Sequence, residues 1–239
     1  MPSILGTALL AAALTAAPTA SAPDALVSYR LVDLGTLGGD SSFASAMNDR
    51  GDVVGRAQAT DGTYRGFLWH HGRMSDLGAF TPTDVNDRGQ VSGGLYLPPD
   101  AFHAARWHNG RVTDLGAGPF NRSNTYALND RGWVIGWQFS ADQFPRGILW
   151  RHGHALDVGT LGGSFTELRA INNRGEILAI SQATDGSSRP ALWRRGVLHD
   201  LSLAGISTYG EVVDLDDRGR IAASVRTDSG VRAVVYHPR

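Results

Sequence analysis

The segment Asn48-Asp49-Arg50-Gly51, followed by Asp52-Val53-Val54-Gly55, decides the fold because its first half recurs along the chain. The other four copies are Asn86-Asp87-Arg88-Gly89, Asn129-Asp130-Arg131-Gly132, Asn172-Asn173-Arg174-Gly175 and Asp216-Asp217-Arg218-Gly219. Asn or Asp can accept hydrogen bonds from its own backbone, and Gly can adopt the positive φ that a tight hairpin requires. The repetition therefore predicts five tight turns, each joining two strands.

Two further landmarks recur in a fixed order with these turns. An aromatic residue ends an apolar run at Trp69, Trp107, Trp150, Trp193 and Tyr236. An Asp-Leu-Gly element or a close variant begins at Asp33, Asp76, Asp114, Asp157 and Asp200. Short apolar runs between Gly- and Asn-rich turns predict four strands in each repeat, and the period is that of a propeller blade. The sequence therefore predicts an all-β fold, a five-bladed β-propeller of four-stranded repeats.

The two ends of the chain share one blade in this prediction. The last repeat stops after its third strand, whereas Tyr29 to Gly35 resembles the fourth strand of the other repeats. Pairing of this N-terminal strand into the last blade closes the propeller and removes the exposed sheet edges. An open stack of repeats is the alternative.

Composition limits the classes of function. Hydrophobic residues make up 42% of the 239 residues, enough for a sizeable core, and 22 basic residues balance 23 acidic ones. No basic face for nucleic acid or anionic lipid is expected. Cysteine is absent, which excludes disulfides, thiolate metal sites and a cysteine nucleophile.

The first residues have the pattern of a secretory signal. An apolar run from Ile4 to Ala17 precedes the small residues Ala20-Ser21-Ala22, and it is too short for a membrane span. We expect residues 1–22 to be a signal peptide, with cleavage after Ala20 as a variant, and residues 23–239 to form the propeller. The protein is then extracellular and monomeric, without a membrane span. A disordered leader on a cytoplasmic protein is the alternative.

The repeat resembles that of a known family, the HAF-repeat extracellular proteins. The resemblance extends from about Tyr29 to Tyr236 and is closest at Phe67-Leu68-Trp69, Asp33–Gly39, Asp157–Gly163 and Gly51–Gly55. It implies repetition, export and a propeller-like fold, and it supplies no catalytic residues. The chain departs from the family pattern after Gly78 and Gly116, where the Thr-Leu-Gly-Gly extension is missing, and at Ala179 and Ala223.

Four carboxylates are candidates for catalysis. Asp84 and Asp214 lie two residues before their turns, where the other repeats carry alanine, and Glu167 and Glu211 lie near the starts of two inner strands. A pair at a suitable separation could act as acid and base on a glycosidic bond, which predicts a glycoside hydrolase as the alternative function. Otherwise they face water in the channel. Four of the eight histidines, His70, His71, His108 and His152, lie near outer hairpin turns of different repeats, so no metal site is expected, and no cofactor is predicted.

The preferred function is a non-catalytic binding module for an extracellular glycan or surface protein. One face of the predicted propeller carries loops of variable length, and each crossover on that face carries one aromatic residue: Phe43, Phe80, Phe120, Phe165 and Tyr209. Such rings can stack on sugars or anchor a protein partner, or they can wedge between blades. A purely architectural module is a third hypothesis.

Overall fold

The computed structural model describes residues 30–238 except 142 and 207–209, with Gly210 and Glu211 described by their backbone alone. The signal-peptide prediction lies outside these residues. The chain divides into two units, Met1–Asp33 and Leu34–Arg239. Of the first unit, residues 30–33 are described and form no regular secondary structure.

The second unit consists of five antiparallel sheets, each formed by strands that follow one another in sequence. The first two sheets contain β1 (Gly38–Met47), β2 (Val53–Ala59), β3 (Tyr64–His70), β4 (Arg73–Gly78), then β5 (Phe80–Val85), β6 (Val91–Leu97), β7 (Ala101–His108) and β8 (Arg111–Asp114). The third and fourth contain β9 (Ser123–Leu128), β10 (Val134–Phe139), β11 (Pro145–Arg151), β12 (His154–Asp157), then β13 (Gly162–Ile171), β14 (Ile177–Ala183), β15 (Ser188–Arg194) and β16 (Val197–Asp200).

The fifth sheet differs, because its described strands number three: β17 (Gly210–Leu215), β18 (Ile221–Thr227) and β19 (Gly230–Tyr236). Short 3₁₀ turns at Gly118–Phe120 and Ser202–Ala204 lie in two crossovers. The sequence prediction of an all-β repeat with meandering four-stranded units is confirmed for the first four sheets. Among the described residues, no helix is long and apolar enough to cross a membrane.

Each inner strand carries a β-bulge at the same place. The pairing with the second strand shifts between Ala44 and Ala46 in β1, and the equivalent shift occurs in β5, β9, β13 and β17. A bulge leaves one residue unpaired and increases the local twist. Repetition of the bulge gives the five inner strands a common curvature.

Apolar side chains from facing sheets form the core. Between the third and fourth sheets, Ile135 and Leu149 pack with Ile177 and Trp193, all four essentially inaccessible to solvent. Glycines permit close packing within the sheets: a Cβ on Gly136 would overlap the backbone of Asn124 on the neighbouring inner strand. The interfaces join inner strands in chain order, β1 with β5, β5 with β9, β9 with β13, and β13 with β17. Among the described residues, no comparable interface joins β17 to β1.

The predicted closing strand is not observed. Tyr29 lies outside the described residues, and residues 30–36 form no strand. The last sheet has three strands among the described residues. Closure of a five-bladed propeller is therefore not confirmed.

Candidate functional site

The five Asn-Asp-Arg-Gly turns are linked from sheet to sheet by asparagine side chains. Within each turn the first residue caps its own backbone: Asn129 Oδ1 accepts the N–H groups of Arg131 at 3.0 Å and Trp133 at 3.1 Å. Its Nδ2 donates to the carbonyl oxygen of Asn172 in the next turn at 3.0 Å. Asn48, Asn86 and Asn172 make the same two kinds of contact. The predicted capping is confirmed, and the links between sheets are an addition to it.

The second residue of each turn forms a parallel row. The backbone N–H of Asp87 donates to Asp130 Oδ1 at 3.0 Å, and that of Asp130 donates to Asn173 Oδ1 at 2.8 Å. The two rows line a recess of about 310 Å³, whose walls are mainly Asn and Asp with four apolar residues between them: Val85, Leu128, Ile171 and Leu215. Because these polar atoms bond to neighbouring turns, the recess is a structural junction between sheets.

The carboxylate of Asp84 joins two sheets. Its Oδ1 accepts the N–H of Val85 at 2.8 Å and its Oδ2 accepts the N–H of Leu128, on the next inner strand, at 3.0 Å. Burial raises the pKa of Asp84, and the two backbone hydrogen bonds oppose that rise. Both carboxylate oxygens are occupied by backbone donors, which indicates a structural role.

The other predicted carboxylates are not brought together with Asp84 by any observed contact. Glu167 pairs with Arg169 at 3.2 Å, and Asp214 Oδ1 accepts the N–H of Leu215 at 2.8 Å. The side chain of Glu211 lies outside the described part of the chain. Among the described side chains, Asp84, Glu167 and Asp214 thus have separate partners.

Histidines and repeated aspartates take partners within their own sheets. His103 pairs with Asp114 at 2.8 Å, at the position where Arg65 pairs with Asp76 and Arg189 with Asp200. The aspartates also cap the following turn. Asp114 Oδ1, for example, accepts the N–H of Gly116 at 2.7 Å. The pairing of these aspartates with side chains of the third strand was not predicted from the sequence. In the described ranges no cluster of three or more His, Asp or Glu side chains could hold a metal ion.

The predicted aromatic residues have different surroundings. Phe80 is 2% exposed, and its ring lies where a side chain on Gly93 would project, so it fills the interior as the wedge hypothesis describes. Phe43 is 51% exposed and lies 6.0 Å from the ring of Tyr64, with Arg56 over both rings. Phe165 is half-buried, and Tyr209 lies outside the described residues.

Phe120 borders a groove between the second and third sheets. Two connected recesses of about 490 and 510 Å³ share Pro99, Asp100 and Arg122. The remaining walls are Pro98, Ala101, Phe120 and Asn121 on one side and Tyr96, Phe102 and Trp137 on the other. We call this the aromatic groove. It lies on the face of the variable loops, because the β6–β7 loop and the β8–β9 crossover form it.

Backbone hydrogen bonds hold the crossover against both sheets. Phe102 N–H donates to Asn121 O at 3.1 Å, and Phe139 N–H donates to Arg122 O at 3.4 Å. Gly94, the counterpart of Trp137 in the second sheet, leaves space for the ring of Phe102. Of the residues that line the groove, only Phe120 was predicted from the sequence. The missing Thr-Leu-Gly-Gly extension after Gly116 was a partial signal, because the crossover after Gly78 lacks it too.

Polar and apolar groups in the aromatic groove are available to a ligand. Tyr96 is 52% exposed and Phe120 41% exposed, while Phe102 and Trp137 are half-buried. Trp137 contacts Phe139 edge to face at 5.3 Å, which fixes its ring. In the described part of the chain, neither the Arg122 guanidinium nor the Asp100 carboxylate has a hydrogen-bond or ion-pair partner. Both charges remain free to contact a bound molecule.

Taken with this geometry, the repeated antiparallel sheets define a protein of the β-propeller class. TolB from Acinetobacter baumannii shares this architecture with a TM-score of 0.52 and 11% identity, over 83% of this chain and 52% of TolB. The chain thus spans about half the length of TolB.

Weaker likenesses were found to two other solved propellers. One is the propeller domain of the Trilobed protease from Pyrococcus furiosus, with TM-score 0.42 and 8% identity over 83% of each chain. The other is the six-bladed lectin of Aleuria aurantia, with TM-score 0.37 and 11% identity over 82% of this chain and 74% of the lectin. No family model and no curated protein matches the sequence.

Proposed function

We propose that this protein is an extracellular, non-catalytic binding module that holds a glycan in the aromatic groove. The observation that carries the proposal is the pair of unpartnered charges, Asp100 and Arg122, between four partly exposed aromatic rings. Ligand sites combine apolar walls with a few polar groups that orient the ligand. Carbohydrates match this combination, because their C–H faces stack on rings and their hydroxyls bond to charged groups.

The distribution of variation along the repeats supports this site. Gly94, Trp137 and Ile180 occupy equivalent positions in successive second strands, and the crossover before β9, like the one before β5, lacks the Thr-Leu-Gly-Gly extension. A regular repeat departs from its pattern where function is built or where geometry demands it. Phe43, Phe165 and Tyr209 remain proposed ligand contacts outside the aromatic groove.

Alanine substitution of Trp137 tests the glycan proposal directly. Loss of one stacked ring is expected to weaken binding about tenfold or more, since a buried aromatic contact can contribute 2 kcal/mol or above. A glycan array followed by calorimetry on the wild type, W137A and R122A supplies the measurement. Phe144→Ala is the matched control, because Phe144 is 47% exposed and does not line the groove.

Four results distinguish the hypotheses. Glycan binding lost in W137A and kept in F144A supports the proposal, and products released from the bound glycan would indicate the hydrolase instead. Binding of a surface protein without any glycan would support the groove as the binding site but would change the class of ligand. Equal binding by W137A and wild type would refute the site.

We also propose that the chain is exported, that its repeats belong with the HAF-repeat proteins, and that it closes as a five-bladed propeller. The turn at the start of β1 supports closure. Gly35 has a φ of +80°, Thr36 Oγ1 donates to Gly39 O at 2.7 Å, and Gly159, Thr160 and Gly163 repeat this geometry. In the fourth repeat this turn follows β12, the last strand of the preceding sheet. The equivalent strand before Gly35 would pair with β19.

The two inner strands that closure would bring together, β1 and β17, carry matching groups. Met47 is 69% exposed, whereas its equivalents Leu128 and Leu215 are at most 7% exposed. Asp214 has the position of Asp84, whose second oxygen accepts the N–H of Leu128 in the next sheet. In a closed propeller, Asp214 would accept the N–H of Met47 in the same way.

The variants D84A and D214A test closure against each other. Each charged hydrogen bond contributes about 1.5–3 kcal/mol, so in a closed propeller both variants should lose similar stability in urea unfolding. If D214A is near wild type while D84A is destabilised, the chain is open at this edge. Deletion of residues 25–36 should unfold or oligomerise a closed propeller and leave an open one monomeric.

A further inference from the structure

The second sheet breaks the repeat at a position that is otherwise apolar. Leu68, Leu149, Leu192 and Val235 are equivalent residues on the third strands, and each is paired with an apolar residue on the second strand. In the second sheet the corresponding pair is Arg106 and Ser92. Arg106 therefore occupies a position at which the other four repeats have leucine or valine.

A small cleft accompanies this substitution. It has a volume of about 110 Å³ and opens between the second and third sheets near their outer hairpins. Its walls include Arg106, Thr113, Trp150, Arg151, His152 and His154. We call it the arginine cleft. The aromatic groove shares no residue with it.

An unsatisfied donor lies in the wall of the cleft. Trp150 is 3% exposed, and its indole N–H is buried without a hydrogen-bond acceptor in the structure. Buried donors are rarely left without a partner, so an acceptor is expected at this place. Arg106 uses one N–H to reach Gly132 O at 2.8 Å, which leaves further guanidinium donors.

The charged groups of the cleft favour an anion as that acceptor. Arg106 is the cation of the cleft, whereas the guanidinium of Arg151 lies over the rings of Trp133 and Trp193, on the side of the fourth sheet. The one carboxylate in the wall, Asp114, is already engaged: its Oδ2 contacts His103 and its Oδ1 accepts the N–H of Gly116. The free groups in the walls are thus mainly donors and positive charges.

We propose that the arginine cleft binds an oxyanion, the sulfate, phosphate or carboxylate group of an acidic ligand. Arg106 supplies charge-assisted hydrogen bonds and the Trp150 indole donates one more. The inference is independent of the glycan proposal, because it concerns different residues.

Titration of the full chain with sodium sulfate, phosphate and acetate at constant ionic strength tests this proposal. Calorimetry and thermal unfolding should show saturable binding by the wild type. R106L restores the leucine of the other repeats, so it should fold and should weaken anion binding at least tenfold. W150F removes the indole donor and should weaken binding while leaving the unliganded protein no less stable.

Arg218→Leu is the matched control, because Arg218 is an exposed arginine outside the cleft. Binding retained in R218L and lost in R106L supports the proposal. Comparison of inorganic sulfate with a sulfated disaccharide then separates a free anion from a polymer-borne group, since the latter should bind more tightly. Absence of saturable binding, or equal anion effects in R106L and wild type, would overturn the proposal and leave a cleft filled by water.

Discussion

The asparagine links between turns lead to a quantitative prediction for Asn129. The side chain is 4% exposed and makes three hydrogen bonds, two to its own turn and one to the next sheet. N129A removes all three and leaves two part-buried N–H groups without an acceptor, while the carbonyl of Asn172 keeps the N–H of Gly175 as its donor. At about 1 kcal/mol for each net hydrogen bond, the free energy of unfolding should fall by about 3 kcal/mol.

The nearly isosteric variant N129D separates the two kinds of bond. An aspartate still accepts from Arg131 and Trp133, but it cannot donate to Asn172 O. We expect N129D to lose about 1–2 kcal/mol, roughly the link between sheets and some repulsion between oxygens. Urea unfolding followed by tryptophan fluorescence and circular dichroism provides the free energies. An N129A loss below about 1 kcal/mol, or equal losses in both variants, would refute this assignment of the three bonds.

Three further predictions concern packing, pH and processing. Gly136→Val should prevent folding, because its Cβ would overlap Asn124, whereas Gly153→Asn should be tolerated, because the space beside Gly153 is empty and Asn accepts positive φ; expression and melting curves compare the two. Hydrogen bonds from Ser187, together with Arg189, lower the pKa of Asp185 to about 2. Because this pKa lies below the unfolded value of about 3.9, the ionised Asp185 stabilises the fold at pH values above about 4. The stability should therefore fall as the pH decreases from about 4 to 2, and this decrease should be smaller in D185N. Identical pH dependence of the melting temperature in D185N and wild type would contradict this. Mass spectrometry of secreted protein should find an N-terminus near Ser21 or Pro23, and an intact Met1 would argue against export.

Local chemistry explains why the strands and turns could be predicted from sequence. The Asn and Gly of each turn act within four residues, and the turns do form with Gly51 at a φ of +81° and Asn48 as the cap. The links from Asn48 to Asn86 could not be predicted in this way, because they depend on the distance between sheets. A turn that caps itself with Oδ1 leaves Nδ2 unused, and that unused donor was the available signal.

The functional prediction was limited in the same way, because contacts between sheets cannot be derived from the local sequence. Phe120 was predicted because it is aromatic and lies in a crossover, but Tyr96, Phe102 and Trp137 lie within strands, where no sequence signal marks them as ligand contacts. Asp84 was selected because it departs from the repeat, and its role proved to be a bond to a neighbouring strand. Chemical type alone did not separate a carboxylate that stabilises sheets from one that contacts a ligand.

The asparagine links also have a direction, which affects how such a chain can lengthen. Every internal turn donates to the following turn and accepts from the preceding one, so duplication of the third repeat would preserve each bond. Asp216, in the last turn, has no amide to donate and instead accepts from Arg220 at 2.6 Å. Copies of the fifth repeat placed in the interior would interrupt the chain of donors, so gene duplication or protein engineering should extend this array from its middle repeats.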